Sequence, residues 1–371
     1  MKPAKTPPQN ARLRSALAEE AKNRAADFLS GVLRYMEAPY ARDVAEPPCI
    51  WKRGNARVLD YGMSRGTWDV ERGKSPATRH APRRVTVLFI PSLINRYYIL
   101  DIEKERSLLR FLAAQGLRPL VLDWGAPGEF EQPFGCGDYI TDILNPAIDF
   151  LAGAAGNPIA LVGYCMGGNL ALAAAQLKPK QVSALALLAT PWDFHCKEFK
   201  PFVIEKQWLP MIEKTITSRK MLPADIVQSL FYMTDPWVFE QKFRRFAGLA
   251  EDSRAMRDFI ALEHWVNDGV PMTANVARDC LLGWAQENIV ARGAWRVAGK
   301  KIDPKKIRIP AFIAMPQSDH VVPLSCAMPL AQMMKNATIS RPSSGHVGMM
   351  VGSRAKKELW QPLAEWLSGI V

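Results

Sequence analysis

The 371-residue sequence has no apolar run of about 18 residues, so no helix able to cross a bilayer is expected. Its opening, MKPAKTPPQNARLRSALAEE, lacks the apolar centre of a secretory signal, and an intracellular location is expected. None of the six cysteines (Cys49, Cys136, Cys165, Cys196, Cys280, Cys326) stands in a CxxC pair, the usual pattern of a structural zinc site. Their scatter through a long chain also argues against a disulfide framework. Neither a metal nor a cofactor is expected, and five of the six are expected to be small buried hydrophobes. The net charge is +12, yet Lys and Arg nowhere gather into long blocks interleaved with aromatics. Nucleic acid is therefore not an expected partner, and the charge suits an anionic substrate or surface. No internal repeat is visible. Histidine is scarce, with five in all, which narrows the choice of a catalytic base.

What is present is the alternation of an α/β chain. Residues 1–9 are polar and Pro-rich and are expected to be disordered. From Asn10 to about Glu37, Leu13, Leu17, Ala21, Phe28, Val32, Leu33 and Met36 recur mostly at three- and four-residue steps. That spacing predicts a helix packed on the body of the protein, with a docking helix for a partner or granule surface as the other reading. From Ala56, apolar strands alternate with helices through Thr190: ARVLDYG, RRVTVLFIPS (Arg83–Ser92), LRPLVLDWG, PIALVGY and VSALALLAT are the strands. Such alternation implies a mostly parallel sheet with helices on both faces. The alternation stops from about Pro191 to Lys301, where segments rich in large apolar residues predict a helical cap. Strand pattern returns at IRIPAFIAMP and ATIS, and AKKELWQPLAEWLSGI predicts a closing helix with Trp360, Leu363 and Trp366 towards the core. The expected organisation is an N-terminal extension over 1–54, a core over 55–190 and 302–371, and a cap over 191–301.

The most informative stretch is LVGYCMGGNL, Leu161 to Leu170. A strand, a G-x-nucleophile-x-G turn and a helix form the nucleophile elbow of an α/β-hydrolase fold. Side chains at Gly163 or Gly167 would collide with the neighbouring helix and strand. Cys165 is then the nucleophile, at a helix N-terminus that favours a thiolate. The backbone N–H of Met166 points to where an oxyanion would form, and a second N–H is expected near Ile94, in the loop after an early strand.

A nucleophilic cysteine needs a base and a group that orients it. In this fold the chain order is nucleophile, acid, histidine. Asp319 lies just beyond a late strand in AFIAMPQSDHVVP, and His346 lies in the later loop SSGHVGMM. His320 adjoins Asp319 too closely to use it and is expected to pack the loop. His264 and His195 are expected to be structural, and His80 to lie on the surface.

The motifs PSLINRYYILD, LDWGAPG, GYCMGGNLALAAA, LLATPWDF, SDHVVP and SGHVGMMVG occur in the order found in poly(3-hydroxyalkanoate) synthases, which the chain resembles over about Arg83–Val371. Its length is similar to that of the shorter, two-component synthases. The resemblance implies an α/β-hydrolase variant with a Cys-His-Asp triad that polymerises 3-hydroxyacyl-CoA into polyester at cytoplasmic granules and releases CoA. Cys165 would carry the growing chain as a thioester, His346 would activate the thiol, and Asp319 would orient His346. It implies hydroxyacyl-CoA, the granule surface and a second synthase subunit or a homodimer as partners. The alternative within the fold is an acyl-thioesterase or intracellular polyester depolymerase. Dienelactone hydrolases share a cysteine elbow but are too short for the stretch between Cys165 and Asp319. A third reading is a non-catalytic granule or scaffold protein.

Overall fold

The structure is a computed structural model that describes residues 9–62, 85–198, 206–232 and 236–370. Residues 1–8 of the Pro-rich start, and His80, lie outside the described residues. The described parts of Met1–Arg42 and Phe231–His264 form one compact unit, and those of Asp43–Leu230 and Trp265–Val371 another.

The larger unit is built on a sheet of β1 (Cys49–Arg53), β2 (Ala56–Asp60), β3 (Thr86–Ile90), β4 (Arg118–Asp123), β5 (Ile159–Tyr164), β6 (Val182–Leu188), β7 (Ala311–Ala314) and β8 (Thr338–Ser340). Their order across the sheet is β1-β2-β4-β3-β5-β6-β7-β8. β2 runs antiparallel to both its neighbours, and the pairs from β4 to β8 are all parallel. The central strands are buried along their whole length, as a parallel sheet covered on both faces requires. TVLFI and IALVGY are therefore continuous apolar runs rather than alternating ones.

Local chemistry fixes the ends of the elements. The helix Leu108–Ala114 begins where the Ser107 side chain accepts the Arg110 N–H at 3.0 Å. The helix Asn145–Ala155 stops at Gly156, which takes the left-handed conformation at φ 65°. The expected closing helix is a wide turn over Lys356–Trp360 followed by Gln361–Ser368. Trp360 and Leu363 are buried, and Trp366 rests against Phe312 of β7 with ring centroids 5.5 Å apart.

One strand of this sheet was not expected. β1, CIWKR, is an edge strand with two cations and a half-exposed face, so it carries no apolar run. It pairs with β2 through a two-residue turn in which Gly54 has φ 57°, a hairpin signal within the region read as an N-terminal extension. Cys49 opens this strand and is exposed, against the expectation of a buried thiol.

In the same unit, part of the insertion is bonded to the loops above the sheet. Asn275 Nδ2 donates to the Pro133 carbonyl at 2.8 Å, and Asp279 Oδ2 accepts the Cys136 N–H at 2.7 Å. Residues 265–270 are bonded to the loop after β3. There Val270 N–H donates to the Ile94 carbonyl at 2.8 Å, Trp265 Nε1 donates to the Arg96 carbonyl at 2.8 Å, and Asn95 bridges Gly269.

The smaller unit contains the helix Gln9–Glu37, close to the predicted span. It packs on the helix Pro236–Ala247. Phe28 meets Phe239 and Phe243 edge to face, and Gly31 lies so close to the Phe243 carbonyl that any Cβ there would overlap it. Arg34 donates to the carbonyls of Phe246, Ala247 and Leu249, satisfying the C-terminal carbonyls of its partner helix. Among the described residues, no helix is long and apolar enough to cross a membrane.

Candidate active site

The turn between β5 and the helix Met166–Leu177 is tight enough to force Cys165 to φ 54° and ψ −128°. A non-glycine residue there stores strain, which a packed surrounding must hold in place. The surrounding is packed by backbone. A Cβ on Gly163 would come within 2.4 Å of Gly168 Cα, and one on Gly167 within 2.0 Å of the Ile90 carbonyl oxygen. The elbow thus sits directly against the C-terminal end of β3. Gly168 is pressed in turn on the Thr190 side chain, and Asn169 donates to the Pro191 carbonyl at 2.8 Å, joining the helix to the loop after β6.

Two elements bring Asp319 and His346 to Cys165. β7 delivers Asp319, whose Oδ1 accepts the N–H groups of Val321 at 2.8 Å and Val322 at 2.7 Å. Its Oδ2 faces His346 Nδ1 at 2.7 Å. The loop after β8 delivers His346, and Gly345 lets its backbone pass close to the Ser318 carbonyl. The carboxylate is fully buried and the imidazole side chain is 10% exposed. Cys165 lies close enough to the same imidazole to raise its basicity. Burial works to lower the basicity of His346, but the Asp319 carboxylate, the Cys165 sulfur and the hydrogen bonds to both outweigh it. Together they push His346 up to about 10. The ring is therefore held as an imidazolium at neutral pH, with the Asp319 carboxylate on its Nδ1 side.

Met166 is the first residue of its helix, so its N–H has no carbonyl one turn earlier in the helix to serve. It stands beside the sulfur, where an acyl oxyanion would form. The Ile94 N–H donates to Ser92 Oγ at 3.2 Å, so its service as a second donor requires exchange of that bond for the acyl oxygen. Trp124 Nε1 donates to the Pro91 carbonyl at 3.0 Å and fixes the start of the same loop.

The other histidines lie elsewhere. His195 is exposed, with its Nε2 3.1 Å from the carbonyl oxygens of Ala285 and Gln286. His264 stacks on Tyr40 at 4.5 Å in the smaller unit, and His320 is exposed. The cysteines divide just as clearly. A hydrogen bond with Cys280, together with burial, pushes the Cys136 thiol well up. Cys196 and burial do the same to Cys326. Those thiols stay protonated, and their pairing in space could not be read from their spacing in the chain.

Sequence reasoning also passed over Tyr164. It is buried, its ring stacks on the His346 ring at 5.1 Å and 30°, and its hydroxyl faces the His346 carbonyl at 3.2 Å. Adjacency to the nucleophile was the available signal, but the fold of a distant loop onto it was not.

The family model of the alpha/beta hydrolase fold matches residues 85–353, a span that contains Cys165, Asp319 and His346. The chain is similar to a poly(3-hydroxyalkanoate) polymerase subunit PhaC of Thiocystis violacea, at 25% identity over 85% of this chain and 91% of the relative. It is similar to the proteins of that name from Haloarcula marismortui, at 28% identity over 88% of this chain and 68% of the relative, and Haloferax mediterranei, at 27% identity over 76% of this chain. The match spans 58% of the length of the Haloferax protein.

Proposed function

The chain belongs to the alpha/beta hydrolase fold family, and on that premise we propose that it is an acyltransferase that polymerises 3-hydroxyacyl-CoA into polyhydroxyalkanoate. The observation that supports this reading most directly is a thiol, not a hydroxyl, at the strained elbow, beside an imidazole bound to a buried carboxylate. Its similarity to the poly(3-hydroxyalkanoate) polymerases agrees with that chemistry.

The proposed cycle needs no metal or cofactor. The Cys165 sulfur attacks the thioester carbonyl of hydroxyacyl-CoA, with the Met166 N–H donating to the oxyanion. The C–S bond to CoA breaks, and the proton held on His346 passes to the CoA sulfur. The acyl group now rests on Cys165 as a thioester, nearly equal in energy to the one it left. The hydroxyl of another hydroxyacyl group then attacks it, His346 takes the hydroxyl proton, and an ester bond forms as the Cys165 sulfur departs. Asp319 holds the imidazole in the orientation both steps need. An anionic CoA suits the basic chain, and the work is proposed to take place in the cytoplasm at the surface of the polyester granule. A second synthase subunit or a second copy is the proposed partner. The 191–301 insertion is proposed as the cap that shields the acyl-enzyme from water.

The test is to incubate the purified protein with 3-hydroxybutyryl-CoA, alone and with a candidate partner subunit, and to measure free CoA and the product. CoA release with polymer is expected. CoA release with free hydroxy acid alone would assign the thioesterase alternative, and no release under either condition would assign a scaffold.

A further inference from the structure

We propose that Tyr164 is a positioning residue that holds His346 as the protonated partner of Cys165, chiefly through the face of its ring. This rests on the triad described above and extends it to a fourth side chain. Asp319 grips the imidazole edge at Nδ1, which leaves the ring free to rotate about that bond and its flat faces unsupported. Tyr164 covers one face. The ring centroids lie 5.1 Å apart with the planes inclined by 30°, within the distance at which an aromatic face attracts a cation. The Tyr164 hydroxyl meets the His346 backbone carbonyl at 3.2 Å, long for a hydroxyl, so it fixes the loop more weakly than the stack fixes the ring.

Placement explains why the contact is dependable. Tyr164 ends β5, a strand buried throughout, and its successor is the strained Cys165. The strand therefore sets the nucleophile and the supporting ring together. Burial, with the nearby Cys165 and Asp319 charges, holds the phenol well above its usual range, so it stays neutral and cannot compete as a base. The titratable groups that act on His346 are Asp319 and Cys165, and the same two act on Tyr164. An electron-rich face stacked on the imidazole favours its cationic form. Loss of that face should weaken the imidazolium–thiolate pair without removing either member.

The experiment is alkylation of the full-length protein by iodoacetamide over a range of pH, with modification of the Cys165 peptide read by mass spectrometry. It requires no acyl substrate, so it does not depend on the polymerase reading. Tyr164→Phe keeps the face and loses the hydroxyl, and should stay within about threefold of wild type. Tyr164→Leu loses both, and should alkylate about tenfold more slowly at neutral pH, with the profile displaced to higher pH by about one unit. A pentafluorinated phenylalanine at position 164 keeps the shape but reverses the charge of the face, and should behave as Tyr164→Leu even if the leucine variant folds poorly. Superimposable profiles for all four proteins would overturn the proposal. So would a Tyr164→Phe profile displaced as far as that of Tyr164→Leu, which would transfer the effect to the hydroxyl. If wild-type Cys165 reacts no faster than Cys165 in His346→Gln, the ion pair itself is absent. The triad then fails first and this inference falls with it.

Discussion

Replacing Asp319 by Asn tests the site more sharply than removing it. Asp319 Oδ1 accepts two backbone N–H groups, from Val321 and Val322, at 2.8 and 2.7 Å. In Asp319→Asn the amide must keep its oxygen on those donors, because an NH2 there would face two N–H groups with no acceptor. The NH2 is thereby aimed at His346 Nδ1, which now sits 2.7 Å from a carboxylate oxygen. A donor in that place forces His346 to carry its proton on Nε2, facing Cys165, in the tautomer that cannot accept a proton from the thiol. The equivalent change in a serine-based triad costs on the order of 10⁴ in rate. A thiol gives up its proton more readily than a hydroxyl, so the expected loss here is smaller, about 10²–10³-fold, or roughly 3–4 kcal/mol in barrier. The fold should be little affected, since both backbone donors keep their acceptor. Asp319→Ala should differ in kind. It leaves the Val321 and Val322 N–H groups without that acceptor, at about 1–3 kcal/mol each where they are buried, so its melting temperature should fall clearly. The assays are CoA release from 3-hydroxybutyryl-CoA and thermal unfolding of both variants. An Asp319→Asn protein that keeps more than a tenth of the wild-type rate would refute the tautomer argument, as would one that unfolds as early as Asp319→Ala.

Other outcomes follow from the same geometry. Cys165→Ser is expected to lose at least about a hundredfold in acyl transfer, and Cys165→Ala to form no acyl-enzyme in a mass-spectrometric trap. Ala at Cys136, Cys196, Cys280 or Cys326 should leave CoA release nearly unchanged at a modest packing cost. Gly167→Ala places a methyl against the Ile90 carbonyl, which is backbone and cannot yield, so a loss of about 3 kcal/mol or more of stability is expected in denaturant unfolding. The folded-state value of His346, about 10, lies above its ordinary 6.5, so the stabilisation it supplies is complete below about pH 6.5 and is lost as the pH rises towards 10. The melting-temperature advantage of wild type over His346→Gln should therefore shrink across that interval, and an advantage that grew would contradict the assignment.

The sheet was legible because its strands announce themselves by composition. TVLFI, PLVL, IALVGY and ALALL are dominated by apolar residues, as a strand covered on both faces tolerates. The elbow was legible for a different reason, since a turn that admits no Cβ at two positions leaves glycine as its mark. Asp319 and His346 were found by chain order and the scarcity of histidine. Three features escaped. β1 is a charged edge strand, and its pairing is made by a turn rather than by burial. The wide helical turns at Tyr139–Leu144 and Asp279–Gln286 follow a period that an ordinary helical pattern does not reveal. Tyr164, Cys280 and Cys326 acquire their neighbours from segments far away in sequence, and no local pattern records such a meeting.

The choice of sulfur at the elbow follows from the same balance of charge that raises His346. A serine at position 165 would need a neutral imidazole to take its proton, because a hydroxyl does not ionise on its own near neutral pH. The value near 10 at His346 belongs to the site with sulfur in it, because Cys165 is itself one of the groups that raise it. A thiol is far more acidic than a hydroxyl, so its proton passes to the imidazole at much lower cost. The proton on His346 is then in place for the departing CoA sulfur. The Asp319–His346 contact, which a serine triad uses as well, thus serves both the attack and the leaving group of the proposed acyl transfer.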